Sequence, residues 1–528
     1  MRRPWKVSDR SMSGLRLAAA LPRLRPSEGR RRVRFTLALA VAQLFAPRLA
    51  GADLCGPLPP PAGAVVEVTP AQAAGLRQIV IAAAAGTTIL LHDGLYDMSQ
   101  GDAVSRLVFA TPGVTLRSLS GHRDGVVLDG GYLTDELVSI FASNVVIADL
   151  TLRRAYDHPI HISGNLTPIT GVRLHNLRIV DPGQQAVKVN PIGEGWVDDG
   201  TLECSSLELT DAGRPLVRDD CYTGGIDAHR ARGWVVRRNR FAGFWCPVGL
   251  SEHAVHFWKA SRDTLVEENV IVDCARGIGF GMGATGDDRV YPDDPYPTVA
   301  YLGHLDGTIR NNFIAAADPD LFASEYGFDA GITLDQTRHP RVAHNSVAST
   351  VAPFSSVEWR FADTLVELAN NLVSHNLRPR DGGVAQQQSN LDHAPLGWFA
   401  DVAGGDLHLS ALAGELVALV QRVFRPRADD RGLGILVDLP DSRCPDDPAW
   451  RARRAIAAEW VEELRLRRNE LGLETSLVLY RHVGTNNGDL PAGAWIHAGG
   501  PLPASADELD EAGQMPFPEI YARCSILV

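Results

Sequence analysis

The stretch His253-Ala-Val-His-Phe-Trp-Lys-Ala-Ser-Arg-Asp-Thr-Leu-Val-Glu-Glu-Asn-Val-Ile271 holds the three short β-forming runs of one unit of a repeat. Val255 to Trp258 alternates apolar and polar residues. Asp263-Thr-Leu-Val begins a second short run of β-formers beside a charged turn, and Asn269-Val-Ile opens a third after a polar corner. Successive side chains of a strand point to opposite faces, so Val255 and Phe257 turn towards a core while His256 and Trp258 turn away from it.

The same corner recurs in both directions along the chain. A polar residue, most often Asn, stands one or two places before an apolar one at Asp149, Asn176, Ser205, Asn239, Asn269, Asn311, Asn345 and Asn370. The successive separations are 27, 29, 34, 30, 42, 34 and 25 residues. Short Val/Ile/Thr-rich strands at that period predict a parallel β-solenoid, because one coil cannot bury its own face and stacking at about 4.8 Å makes a continuous core. An antiparallel sandwich would instead need turn signals every 8–12 residues or so. The corner asparagines read as an internal ladder that satisfies backbone groups, not as a reactive site.

Lining up the alternating strand of each coil gives two columns that point away from the core. One reads His161, Lys188, Asp227, His256, Gly279, Thr333 and Glu358; the other reads Ser163, Asn190, His229, Trp258, Gly281, Asp335 and Arg360. Three histidines, three carboxylates, a lysine, a tryptophan and an arginine on one face predict an exposed glycan-binding groove, since sugars stack on aromatic rings. Gly279 and Gly281 predict a hollow between Trp258 and Asp335. The long insertion from Ile278 to Asn311 predicts a wall presenting Tyr291, Tyr296 and Tyr301, with Asp287, Asp288, Asp293 and Asp294 as candidate calcium ligands. No cofactor is required by this reading, and calcium is the one metal it admits.

Charge narrows the partners. Residues 1–52 hold 12 basic and 2 acidic side chains, which leaves 39 basic and 61 acidic in residues 53–528. So acidic a body excludes a generic nucleic-acid or anionic-membrane binder. Only Lys6, Lys188 and Lys259 are lysines, and lysine, unlike arginine, is a base when its neighbours depress its pKa. Arg30 to Arg34, the apolar run Phe35 to Ala46 and Ala50-Gly51-Ala52 have the order of a secretory signal. The expectation is an exported chain, secreted or periplasmic, starting near Asp53. No stretch of the mature chain is apolar enough to span a bilayer, and a monomer is expected. Seven cysteines then predict disulfides, with Cys246–Cys274 and Cys204–Cys221 the expected pairs.

The entry phrase Gly86-Thr-Thr-Ile-Leu-Leu-His-Asp-Gly-Leu-Tyr96, preceded by a predicted helix over Pro70 to Ala84, and the closing phrase Phe399-Ala-Asp-Val-Ala-Gly-Gly-Asp-Leu-His-Leu409 resemble those of the pectate-lyase-like superfamily. The resemblance implies a right-handed parallel β-helix over residues 53–410, capped by the helix. It also implies a polysaccharide bound along the outward columns. Residues 411–528 predict a small α/β appendage around an Arg/Glu-rich helix from Pro448. Residues 253–269 resemble the lysine-bearing coil of the alginate lyase/chondroitinase B family, where Lys259 falls at the catalytic lysine; that family's arginine on the next coil is absent, Gly279 to Met282 standing there. β-Elimination on a uronate polymer is therefore the leading expectation, with Lys259 as base, His256 or His229 assisting, and Lys188 or Arg360 meeting the carboxylate. His161, Asn190, Asp227, Trp258, Asp335 and Glu358 are expected to bind substrate. Glycoside hydrolysis through Asp335 and Glu358, C5-epimerisation, and non-catalytic glycan binding are the alternatives.

Overall fold

The computed structural model describes residues 55–528 except 57, 165–166, 287–288, 410–412, 447 and 484–489. The secretory signal expected in residues 1–52 lies outside the described residues. Three long sheets of parallel strands, of 14, 10 and 10 strands, account for most of the chain. Strands from successive coils pair in register, as Leu265–Glu267 does with Thr308–Arg310 and Val270–Val272 with Phe313–Ala316. This is a parallel β-helix. Its core is one continuous stack of Val, Ile, Leu and Phe side chains running from Val68 to Val373.

The site depends on one of the ten-stranded sheets. Its strands are β1 Leu107–Phe109, β2 Val138–Ile140, β3 Ile160–Ile162, β4 Gln185–Val189, β5 Gly224–His229, β6 Val255–Trp258, β7 Arg276–Phe280, β8 Ala330–Asp335, β9 Ser355–Arg360 and β10 Leu377–Arg380, stacked in that order. The registers His161 to Lys188, Lys188 to Asp227, Asp227 to His256, His256 to Gly279, Gly279 to Thr333 and Thr333 to Glu358 reproduce the first expected column. Period-two alternation fixes it, because a slip by one residue would turn every apolar side chain out of the core.

From Ser205 onward the corners carry the predicted ladder, whereas Asp149 and Asn176 hold left-handed turns at φ 55° and 50°. The side-chain oxygen of Asn269 accepts from the backbone N–H (3.0 Å) and the amide (3.0 Å) of Asn239, and Asn312, Asn345, Asn371 and Asn390 continue the chain in the same way. In the two Asn-Asn pairs the second member enters the ladder; Asn311 and Asn370 hold the left-handed turn before it, at φ 55° each. The N-terminal end of the core is covered by Pro70–Gly75, a tight 3-10 turn, and the helix Leu76–Ala82, which buries Leu76 and Val80. The predicted helix therefore begins as 3-10 and ends two residues early.

At the other end an antiparallel hairpin, Phe399–Asp401 with Asp406–Leu409, closes the coils. A five-stranded sheet follows with the helix Pro448–Leu466 and a separate core around Leu433, Trp460, Val461, Leu464 and Leu477. Among the described residues no helix is long and apolar enough to cross a membrane.

The disulfides correct the expected pairing. Cys55 joins Cys204, and Cys221 joins Cys246, while Cys274 is a buried thiol. Cys274 follows a strand and is packed into the core, whereas Cys221 and Cys246 both lie in irregular segments between strands. Similar distance from a corner did not mean the same face.

Candidate active site

Strands β4, β5 and β6 bring Lys188, Asp227, His229 and Trp258 together in three adjacent coils. Asp227 is the hub. Its carboxylate pairs with the Lys188 ammonium, accepts from the Trp258 indole N–H at 2.7 Å and lies 3.3 Å from Nε2 of His229. Lys188 Nζ also donates to Tyr222 Oη at 2.7 Å and sits 3.2 Å from His229 Nε2. Trp258 is flanked by the His229 ring, edge-on at 4.6 Å, and by the Lys259 ammonium, 4.6 Å from its ring centroid.

These columns point away from the core, but the open face expected of them is corrected. Lys188, Asp227, His256 and Glu358 are 5 %, 1 %, 0 % and 5 % exposed. The segments before each strand, carrying Tyr222 and Glu252, fold over the column, and a buried charge persists only when paired. His161, Asn190, His229, Trp258, Lys259, Asp335 and Arg360 keep part of their surface. A ligand on this face therefore meets those side chains, with Lys188 and Asp227 acting from beneath.

The electrostatics follow from this layering. Burial by itself would raise the Asp227 carboxyl, but Lys188 and the neighbouring imidazoles hold it well below its ordinary value. Burial would lower the Lys188 ammonium; Asp227 and Tyr222 outweigh it and raise it. Burial lowers His229, and Lys188 and Lys259 push the same way against Asp227, so its imidazole is neutral near pH 7. Burial raises the Tyr222 phenol. A neutral imidazole, a protonated phenol and two lysines thus share one corner of the face.

The other expected residues fall into separate groups. His161 is bound to Glu136 and, at 2.6 Å, to Asn190, and Glu136 is further held by Arg106 and by Ser139 at 2.6 Å. Arg360 lies on β9, three strands from Trp258, or about 14 Å at the sheet spacing; it pairs with Asp381. Arg360 and Lys259 are not brought to one site. Glu358 accepts from Ser355 at 2.6 Å and from Arg380 at 2.9 Å. Burial and the charge of Glu358 push the Asp335 carboxyl up to about 6.

The hollow expected at Gly279 is filled. The imidazole of His253 lies over this glycine so closely that a Cβ there would come within 2.7 Å of Nε2. The tyrosines of the long insertion also turn inward: Tyr291 donates to the Ala260 carbonyl at 2.8 Å, Tyr296 to Asp306 at 2.6 Å, and Tyr291 packs with Leu302 and Leu305. They cover the rod and do not line a groove. Of the calcium candidates, Asp287 and Asp288 lie outside the described residues. Asp293 is held by Arg262, with both oxygens at 2.8 Å, and Asp294 is exposed at φ 34°.

Sequence reading did not single out Tyr222, Glu252, His253 or Glu136 as site residues. They stand in or beside the irregular segments between strands, where alternation assigns no face. For Tyr222, Glu252 and His253 the one available signal was placement two to four residues before an aligned strand; Glu136 precedes Val138–Ile140, which lies before the first aligned strand.

No family model and no curated protein matches the chain. Among solved structures it is similar to an alginate lyase from Paenibacillus sp. (14 % identity, 61 % of this chain and 99 % of that one, TM-score 0.39). It is also similar to a polygalacturonase from Erwinia carotovora (11 %, 65 % and 99 %, TM-score 0.37) and to the A-module of a mannuronan C-5 epimerase from Azotobacter vinelandii (12 %, 61 % and 89 %, TM-score 0.35). A shared fold does not fix a function, which is argued from the site itself. The strand register, taken alone, makes the chain a parallel β-helix, the architecture expected from its repeat.

Proposed function

We propose that this is an exported, polysaccharide-active β-helix enzyme that cleaves a uronate-containing polymer by β-elimination at the face formed by Tyr222, His229, Trp258 and Lys259. The observation that carries the reading is the Asp227 hub, which holds a neutral imidazole on its carboxylate and, through the Lys188 ammonium, a phenol beside it. The sugar packs against the exposed part of Trp258, and the Lys259 ammonium beside that ring meets the uronate carboxylate, lowering the cost of charge as the C5 proton leaves. His229 takes that proton: with Nε2–H turned to Asp227, Nδ1 carries the lone pair. The electron pair of the C5–H bond forms the C4–C5 double bond as the C4–O4 bond breaks. Tyr222 donates its proton to O4, and Lys188 stabilises the phenolate left behind. Two disulfides support export.

A panel of uronate polymers tests this by following the ultraviolet absorbance of the new double bond alongside reducing ends. Both signals should rise together, and His229→Ala or Lys259→Ala should each lower the rate by about 10²-fold or more. Full activity in either variant would sink the residue assignment. A second reading, glycoside hydrolysis at Asp335 and Glu358, is favoured by the raised Asp335 carboxyl, a proton donor near neutral pH beside a second acidic group. It predicts reducing ends with no double-bond absorbance.

A further inference from the structure

We propose that Glu252, His253 and His256 form a binding site for one divalent first-row transition ion of the zinc class. This goes beyond the elimination reading and does not depend on it. One ligand atom from each residue lies within 4.8 Å of the other two. Those atoms are Glu252 Oε2, His253 Nδ1 and His256 Nδ1. All three are buried, and none has a hydrogen-bond partner. Three buried polar atoms gathered this closely with no hydrogen-bond partner are costly for a fold to keep unless something binds there. His253 and His256 are themselves 4 % and 0 % exposed.

The opposite edges of the two rings are already anchored. His256 Nε2 lies 3.2 Å from the carbonyl oxygen of Gly281, which can only accept. The Nε2 hydrogen therefore points there, and Nδ1 is the ring atom left facing the cluster, with its lone pair free to ligate in the neutral ring. His253 Nε2 is 2.7 Å from Thr333 Oγ1. Such outer hydrogen bonds orient the imidazoles that ligate metals. Glu252 Oε2 stands 3.3 Å from His256 Nδ1 and 4.0 Å from His253 Nδ1. Zinc bonds of about 2.0–2.2 Å in a tetrahedron set ligand atoms roughly 3.4 Å apart, so with all three within 4.8 Å of one another closure needs about 1.5 Å of movement or less.

The backbone makes room for this arrangement. Gly279 lacks the side chain that would displace His253. Trp258 stacks flat on His256, with ring planes 2° apart. Arg276, the cation whose charge reaches His253, is turned to Asp329 at 3.0 Å. Asp227 Oδ1, 3.7 Å from His256 Nδ1, is within reach as a fourth ligand, as is water. Two imidazoles and one carboxylate favour zinc-like ions over calcium, which prefers oxygen ligands.

The experiment uses the full chain stripped with a chelator and titrated with Co²⁺, read by its visible ligand-field absorption, and with Zn²⁺ in competition. One equivalent should bind, with a spectrum of low coordination number and a rise in Tm. Glu252→Gln and His256→Gln should each weaken binding at least about 10-fold. Glu252 is partly exposed, so Glu252→Gln decides the question if the His256 variant fails to fold. Absence of binding by the unaltered chain, or binding equally tight in Glu252→Gln, would overturn the proposal.

Discussion

Replacing Asp227 by Leu should destabilise the β-helix far more than replacing Asp227 and Lys188 together. The single change leaves a lysine ammonium whose side chain is 6 % exposed with only Tyr222 and His229 beside it. Removing one partner of a buried ion pair costs about 3–5 kcal/mol. The Trp258 N–H, which donates to Asp227 at 2.7 Å, loses its acceptor as well, for roughly 1–3 kcal/mol. The single variant should therefore lose about 4–8 kcal/mol. Lys188→Met in the same background removes the stranded charge, leaving mainly the indole term, so the double variant should lose only about 1–3 kcal/mol. Urea denaturation followed by tryptophan fluorescence, run on both single variants and the double, measures the coupling. A double variant whose loss equals the sum of the two single losses would refute the argument that Asp227 and Lys188 are retained for each other.

Asn312→Ala should cost roughly 3–5 kcal/mol in the same assay, because Asn312 accepts twice from Asn269 and its amide donates to Val266, Arg310 and Asn345 in the buried ladder; a loss under about 1 kcal/mol would contradict it. Acid should weaken the fold through buried neutral histidines: burial holds His158 at about 4 and His304 at about 3, against an ordinary value near 6.5. Their unfolded forms take up protons below about pH 6.5 while the folded forms do not. Stability is thus lost as pH falls from about 6.5 to 4, by roughly 3 kcal/mol for His158 alone, and a Tm that stays flat over that range would disprove it. Removing Cys55–Cys204, which closes 149 residues, should destabilise more than removing Cys221–Cys246, which closes 25: about 5 against about 3.5 kcal/mol on the chain-entropy account. Tm values of Cys→Ala double variants check the order.

The repeat was legible because a stacked coil imposes two local rules that composition cannot hide. Alternation in Val255–Trp258 and its counterparts had to keep apolar side chains inward, so the order His161, Lys188, Asp227, His256, Gly279, Thr333, Glu358 could be written down from spacing and recurs in the strand register. The asparagine corners were legible for the same reason: from Asn239 to Asn390 a turn that leaves backbone groups unpaired takes an amide in each successive coil.

Alternation says which way a side chain leaves its strand, and nothing of what lies over it. Tertiary structure decided that Tyr222 and Glu252 would cover the column, that Lys188 and Asp227 would be buried as a pair, and that His253 would fill the space above Gly279. It also decided that Cys55 would reach Cys204, and that Arg360 would stand far from Lys259. Those outcomes depend on irregular segments whose paths are set by long-range packing and hydrogen bonding. From sequence alone came the coil, its faces and the residue types on each. Only the three-dimensional packing turned one of those faces into a layered site, because burial and the charges gathered around each group, not its place in the repeat, set its protonation and its partners.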